Sequence, residues 1–225
     1  MQVTWLGQAG LLLENNNIKI MIDPYLSNSV EKVNFKNFRR IKVDEKYLEI
    51  SPDVLIFTHN HLDHYDPETV KRILENSKKS ITILCPSSVW KLVKEFGGEQ
   101  NYVLFDRLTE WTEKSICFKA VKAVHSDEYA IGVVIKDNKK TYYVMGDTLY
   151  NEQIFLDLPK KIDYVFSPIN GVGNNMNAID AVRFCKKIKA KNVVPYHYGM
   201  FDEISPNIFN VKNKIILETY KKTEI

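Results

Sequence analysis

Between Phe57 and Asp66 the chain reads FTHNHLDHYD, which sets His59, His61, Asp63 and His64 within six residues. Imidazole nitrogens and carboxylate oxygens are donors that suit zinc, manganese and iron. With five histidines in 225 residues, chance gives H-x-H-x-x-H in roughly two chains of a thousand. That rarity weighs against the bland alternative, a polar loop of solvated histidines. Two histidines on alternate residues at a strand end can hold one ion, and Asp63 and His64 begin the next turn and point elsewhere. A single ion leaves donors over, so the spacing favours two divalent ions. The further candidates are His125 in AVHSDEYA, Asp147 in VMGDTLY and His197 in PYHYG. Singly each is weak, since an aspartate after glycine is more often a turn residue. Together with the cluster they account for every histidine in the chain.

The elements that must position these residues are short. VTWLG, GLLLE and IKIMIDP read as strands, punctuated by Gly7, Gly10 and the turn ENNN, and Pro24 ends the third. Residues 25–52 carry no clean period and form a long connection, of the kind that serves as a lid or binding loop. DVLIFTH is a continuous apolar run, expected as the buried strand that delivers the histidines. DPETVKRILENSKK predicts a helix capped by Asp66 with Pro67 in its first turn. ITILCP is a further strand, and SSVWKLVKEFGG a helix with a glycine stop. SICFKAVKAVH alternates as a strand, and AIGVVIKD and KTYYVMGD form a hairpin about DNKK. DYVFSPING runs into a loop rich in glycine and asparagine, NAIDAVRFCKKIKA is an amphipathic helix capped by Asn177, and NVVPYHYG is the last short strand. NVKNKIILETYKK fits helix or strand equally, and Trp5, Trp90 and Trp111 are expected in the core. Strands with helices interspersed in both halves imply an α/β layered domain over 1–225, with two sheets. His59, His125, Asp147 and His197 all follow strands, so one rim can gather them.

Composition sets the outer bounds. Net charge is +3, from 31 basic and 28 acidic residues, too mild for a nucleic-acid footprint. No apolar window is long enough for a membrane span, and the first residues lack the basic and apolar regions of a secretory signal. Cys85, Cys117 and Cys185 are scattered and odd in number, which fits reduced thiols in a cytoplasmic protein. The oligomeric state is left open.

THNHLDH matches the T-H-x-H-x-D-H signature, and the chain resembles the metallo-β-lactamase-fold hydrolases. VTWLGQAGLLLE, IKIMIDPYLS, HSDEYAIGVVI, MGDTLY, PINGVGNNMN and PYHYGMF are similar to blocks of the L-ascorbate-6-phosphate lactonase-like branch, so the likeness covers nearly the whole chain. The resemblance implies an αββα four-layer sandwich with a dinuclear site on one edge. His59, His61 and His125 would hold one ion, Asp63, His64 and His197 the other, and Asp147 would bridge them. Asp23 would orient a ligand histidine. Oxygen-reducing relatives place glutamate where His61 stands, so the implied chemistry is hydrolytic. Many relatives read G-H where this chain has Gly7-Gln8, and the chain is shorter than the typical sugar-phosphate lactonase of the branch.

The expected reaction is opening of a small lactone, such as L-ascorbate 6-phosphate, by a metal-activated hydroxide, with Asp63 orienting the nucleophile and accepting its proton. Asn170, Asn174 and Asn175, together with free amides at the following helix N-terminus, are candidates to hold a phosphate or carboxylate. Tyr198 is a candidate donor to a substrate oxygen, and Lys36, Arg39, Arg40 and Lys42 are candidate phosphate partners that more often form a solvated face. A phosphodiesterase or nuclease using the same site, and a metal-binding protein without catalysis, are the alternatives.

Overall fold

The computed structural model describes residues 1–15 and 17–225. β1 (Gln2–Gly7), β2 (Gly10–Glu14) and β3 (Lys19–Ile22) form an antiparallel meander. Asn16, in the expected ENNN turn, lies outside the described residues. The chain then runs through α1 (Ser29–Val33) into three parallel strands, β4 (Val54–Ile56), β5 (Thr82–Cys85) and β6 (Asn101–Leu104), linked by α2 (Pro67–Asn76) and α3 (Ser87–Val93). The second sheet repeats the plan. β7 (Glu110–Glu113), β8 (Ile116–Lys122), β9 (Ile131–Lys136) and β10 (Thr141–Val144) are antiparallel, and β11 (Tyr164–Pro168) and β12 (Asn192–Tyr196) add in parallel around α4 (Ala178–Lys187). β13 (Lys222–Glu224) returns to pair with β1, so the sheet orders are β13-β1-β2-β3-β4-β5-β6 and β12-β11-β10-β9-β8-β7.

The period of two along each strand sorts its side chains into two cores. Val3, Trp5, Leu11, Leu13, Ile20, Ile22, Val54, Ile56 and Leu84 face the second sheet and pack with residues such as Phe118, Ile131 and Val133. Their neighbours Leu6, Leu12, Met21, Leu55, Ile83 and Cys85 face the other way and pack against Val70 and Ile73 of α2 and Val89 and Val93 of α3. Full burial of side chains of this size stabilises by about 1.5–3 kcal/mol each. On the far side, Ala181, Phe184 and Cys185 of α4 complete the core of the second sheet. The layers run α, β, β, α, as expected.

The helix starts follow local chemistry. The Asp66 carboxylate accepts from the Glu68 N–H ahead of Pro67, and the Asn177 carboxamide oxygen accepts from the N–H groups of Ile179 and Asp180. The expectations differ from the structure mainly at the edges. β6 and β7 are half-exposed strands whose sequences NYVL and EWTE carry little apolar alternation, and neither they nor β13 were anticipated. NVKNKIILETYKK is neither helix nor ladder until its last residue, Lys222, opens β13: isolated bridges hold Lys214 to Val193 and Thr219 to Trp5 before it. Trp5 is buried, whereas Trp90 and Trp111 are half-buried. The 25–52 connection holds α1 and a 3-10 turn over Glu45–Glu49, and it buries Tyr25, Leu26, Tyr47 and Leu48. The three cysteines are unpaired, and no helix among the described residues is long and apolar enough to cross a membrane.

Candidate metal centre

Every residue of the histidine constellation lies just past the C-terminal end of a strand, where open α/β sheets present their ligands. Asp23 follows β3, the His59–His64 loop follows β4, His125 follows β8, Asp147 follows β10 and His197 follows β12. The two sheets bring these ends to one rim. The Thr58 carbonyl accepts from the Ile131 N–H at 3.0 Å, which ties the histidine loop to the second sheet. Gly146 allows the approach: a Cβ there would lie 2.8 Å from the Ile131 carbonyl oxygen, and its φ of +63° suits glycine. Asp127, buried between loops, accepts from the Asn60 N–H at 3.0 Å and from the Ser88 hydroxyl at 2.6 Å.

Two groups of donors result, His59, His61, His125 and Asp147 in one and Asp63, His64 and His197 in the other. In the first, His125 Nε2 and His61 Nδ1 are 3.1 Å apart, and Asp147 Oδ2 lies 4.0 Å from His59 Nε2 and 3.9 Å from His125 Nε2. In the second, His64 Nε2 and His197 Nε2 are 3.1 Å apart, and Asp63 Oδ2 lies 3.7 and 3.5 Å from them. The other oxygen of Asp147, Oδ1, lies 3.2 Å from His64 Nε2 and 3.1 Å from His197 Nε2. One carboxylate therefore faces both groups, one oxygen to each.

In His59, His61, His64 and His125 the outer ring nitrogen is held, which fixes the tautomer and leaves the inner nitrogen as a lone-pair donor. His64 Nδ1 donates to Asp23 Oδ2 at 2.8 Å, and the same carboxylate accepts from the Thr58 N–H and hydroxyl at 2.8 and 2.5 Å. His59 Nδ1 donates to Thr58 Oγ1 at 3.1 Å, and His125 Nδ1 to the Asn174 carbonyl at 3.3 Å. Ser126 Oγ is 3.1 Å from His61 Nε2. The His197 N–H donates to the Gln8 carbonyl at 2.9 Å, which anchors a residue at φ +56°. His197, Asp23 at φ +43° and Gln8 at φ +48° all hold left-handed backbone, conformations that persist where surrounding contacts over-determine them.

The donor set fits divalent metal. His59 Nε2 and Asp147 Oδ1 are buried and meet no hydrogen-bond partner among the described residues, although two imidazole nitrogens stand within 3.2 Å of that oxygen. The atoms converge on common points rather than on one another. Nitrogens on one ion, each at about 2.0–2.1 Å, stand about 3.0–3.4 Å apart, as these pairs do.

Charge is distributed unevenly. Burial opposes a proton on His64, but the carboxylates of Asp147, Asp63 and Asp23 outweigh it and raise that imidazole well above its ordinary range. His197 is pushed up to about 9, the pull of Asp147 and Asp63 overcoming burial. Burial would raise Asp63 and Asp147, yet the His64 and His197 charges hold both carboxylates well below their usual range. His59 goes the other way: burial, then the charge of His64, press it well below the ordinary imidazole. Burial also lowers His125.

Of the remaining expected residues, Asn170 lines a cavity of about 310 Å³ that opens onto His61, Asp63, Asp147 and His197. Asn174 meets the site through its backbone carbonyl. Asn175 is buried, and its carboxamide accepts from the Thr148 N–H at 2.9 Å, steadying the residue after Asp147. Tyr198 packs on Trp5, with ring centroids 4.9 Å apart, and does not line the cavity. Of the amides expected free at the α4 N-terminus, Asn177 takes those of Ile179 and Asp180. Arg39, Arg40 and Lys42 line a separate groove of about 640 Å³ that shares no residue with this cavity. Sequence reasoning gave no role to Gln8, whose Nε2 donates to Asp63 Oδ2 at 2.7 Å, nor to Thr58, Ser126 and Asp127. Thr58 stood within the histidine motif, but its link to Asp23 is a contact across strands that no spacing announces.

Two facing sheets with helices outside them and a histidine–aspartate centre at the strand ends define a metallo-β-lactamase fold. The pattern of the beta-lactamase superfamily domain matches residues 2–197, and the chain belongs to that family. It is similar to the UPF0173 protein PF0020 of Pyrococcus furiosus, 27% identical with 93% of this chain and 89% of that one covered. A UPF0173 metal-dependent hydrolase of Pyrobaculum islandicum is 25% identical over 96% of this chain and 92% of its own. The crystal structure of a possible metal-dependent hydrolase from Veillonella parvula superposes with a TM-score of 0.80 at 16% identity, covering 100% of this chain and 99% of that one.

Proposed function

We propose that the protein is a metal-dependent hydrolase that works with two divalent ions and opens a small lactone. The observation that carries this reading is Asp147, with one carboxylate oxygen facing His59 and His125 and the other facing His64 and His197. His59, His61 and His125 would hold one ion, Asp63, His64 and His197 the other, with Asp147 between them. Zinc, manganese and iron all match nitrogen and oxygen donors of this kind. Bound there, such ions supply Lewis acidity and lower the pKa of coordinated water. The names of the Pyrobaculum and Veillonella relatives support metal-dependent hydrolysis for this chain as well.

The residues divide the remaining work. Asp63 lines the cavity, and Gln8 fixes its carboxylate from behind, so one oxygen is oriented and the group can hold the proton that an attacking water gives up. Asp23 locks the His64 ring and Thr58 together. The buried walls of the rim, His59, His64 and Asp147, exclude bulk water and keep the field of the charges unscreened.

The test is proton release on a panel of lactones by protein loaded with manganese or with zinc. Metal-dependent opening of at least one lactone is expected. Cleavage of phosphodiesters such as bis(p-nitrophenyl) phosphate with no lactone opened would replace this reading by the phosphodiesterase alternative.

A further inference from the structure

Residues two apart in an extended strand point the same way but stand about 6.5 Å from each other. The ring centroids of His59 and His61 come within 4.6 Å, and the backbone bends over residues 58–60 to bring them there. The loop after β8 clasps that bend on either side of His59. The Ile131 N–H donates to the Thr58 carbonyl, and the Asn60 N–H donates to Asp127 Oδ2, each at 3.0 Å. Metal ligation tolerates shifts of only about 0.2 Å, so the bend has to be held still.

Asp127 is itself firmly anchored. Its Oδ1 accepts from the Tyr129 N–H at 2.9 Å, and its carbonyl accepts from the Ala130 N–H at 3.1 Å. The Ser88 hydroxyl, in the first turn of α3, donates to Oδ2 at 2.6 Å. One carboxylate oxygen thus serves Asn60 and Ser88 together, and bonds to an ionised acceptor are the stronger kind. The side chain is buried, and among the described residues it meets no imidazole. Two residues before it stands His125, and next to it Ser126, whose hydroxyl is 3.1 Å from His61 Nε2. Asp127 therefore joins the two segments that carry all three imidazoles of the first donor group. The second group is braced elsewhere, His64 by Asp23, Asp63 by the Gln8 carboxamide and His197 by the Gln8 carbonyl.

We infer that Asp127 is the positioning residue of the first donor group: through the Asn60 N–H it sets His59 and His61 against His125, so the first ion depends on it and the second does not. This rests on the two-ion reading above and adds to it a residue that binds neither ion.

The test reads metal binding and needs no substrate: manganese is titrated into the full chain, followed by calorimetry and electron paramagnetic resonance. Asp127→Ala should weaken the first ion about 10–100-fold and leave the second within about twofold. One tight equivalent should remain, with the six-line signal of an isolated ion and the affinity it keeps in His61→Ala. Asp127→Asn retains one oxygen that can face Asn60 and Ser88, so its loss at the first ion should be smaller, about two- to fivefold. Ser88→Ala leaves the bond to Asn60 in place and should move neither ion by more than about twofold. Two tight, coupled equivalents in Asp127→Ala would overturn the inference. So would equal weakening of both ions, which marks general support of the rim, or a Ser88→Ala variant that reproduces the loss, which routes it through α3. If circular dichroism shows Asp127→Ala unfolded, Asp127→Asn decides: a loss confined to the first ion sustains the inference, and no loss or an equal loss at both overturns it. Fewer than two equivalents on the unaltered chain would overturn the two-ion reading and the inference with it, so the two failures are told apart before any variant is made.

Discussion

His64 leans on a buried carboxylate, whereas His59, in the same loop, leans on a hydroxyl. The contrast extends to the whole of each donor group. Behind the first stand Thr58, Ser126 and the Asn174 carbonyl, all neutral partners. Behind the second stand Asp23 and Gln8, with Asp63 and Asp147 in front. In the first group His59 and His125 are pressed toward neutral imidazole and offer lone pairs at neutral pH. The second group draws positive charge so strongly that, without metal, protons take the place of an ion. One rim therefore gathers two donor groups of different character, one governed by burial and one by carboxylates.

The comparison breaks most completely at the residue the groups share. Asp147→Ala should remove both ions and reduce hydrolysis to background, measured by metal content and proton release. Retention of one full equivalent of metal would show that the groups do not depend on a common carboxylate.

Asp23→Ala should separate them. It leaves His64 and Thr58 without their buried acceptor, so the unfolding free energy should fall by about 3–5 kcal/mol in denaturant titrations. Metal affinity should drop about 10–100-fold in the second group alone. An equal loss in both would mean that Asp23 supports the rim as a whole.

The pH dependence sharpens the contrast further. Since His197 titrates at about 9 in the folded chain, its proton adds stability below the unfolded imidazole pKa of about 6.5, and that contribution is lost as pH rises through about 9. An ion must displace this proton, so affinity at the second group should rise with pH across that window. His59 and His125, both lowered, are already neutral at pH 7, and affinity at the first group should stay flat. Calorimetric titrations in buffers of different ionisation enthalpy count the released protons.

Ser126→Ala is the mildest change. Its hydroxyl touches His61 from an exposed position, so loss should cost about 0.5–1 kcal/mol, or about two- to fivefold in the metal affinity of the first group.

How much was legible follows the range of the interactions. The helix starts at Asp66 and Asn177 and the buried strand before His59 are local chemistry, and they stood in the sequence. So did His59, His61, Asp63 and His64, because H-x-H-x-x-H concentrates them within six residues, whereas His125, Asp147 and His197 gained weight only beside that cluster. The edge strands β6, β7 and β13 were not legible: half-exposed, they carry little of the alternation that marks a strand. The supports were hidden for a related reason. Asp23 came to notice through resemblance, and its bond to Thr58 spans 35 residues. Gln8 was noted only where relatives carry histidine, yet it reaches across 55 residues to Asp63. Tyr198 and the amides of Ile179 and Asp180 had the right types for binding substrate, and packing against Trp5 and capping by Asn177 used them first.

The central claim is that two ions share Asp147. Electron paramagnetic resonance of the protein titrated with manganese tests it most directly. The account predicts two equivalents bound per chain and the broadened spectrum of an exchange-coupled pair, reverting to the six-line signal of an isolated ion in His61→Ala. A single equivalent, or two that give only uncoupled six-line signals in the unaltered protein, would contradict it.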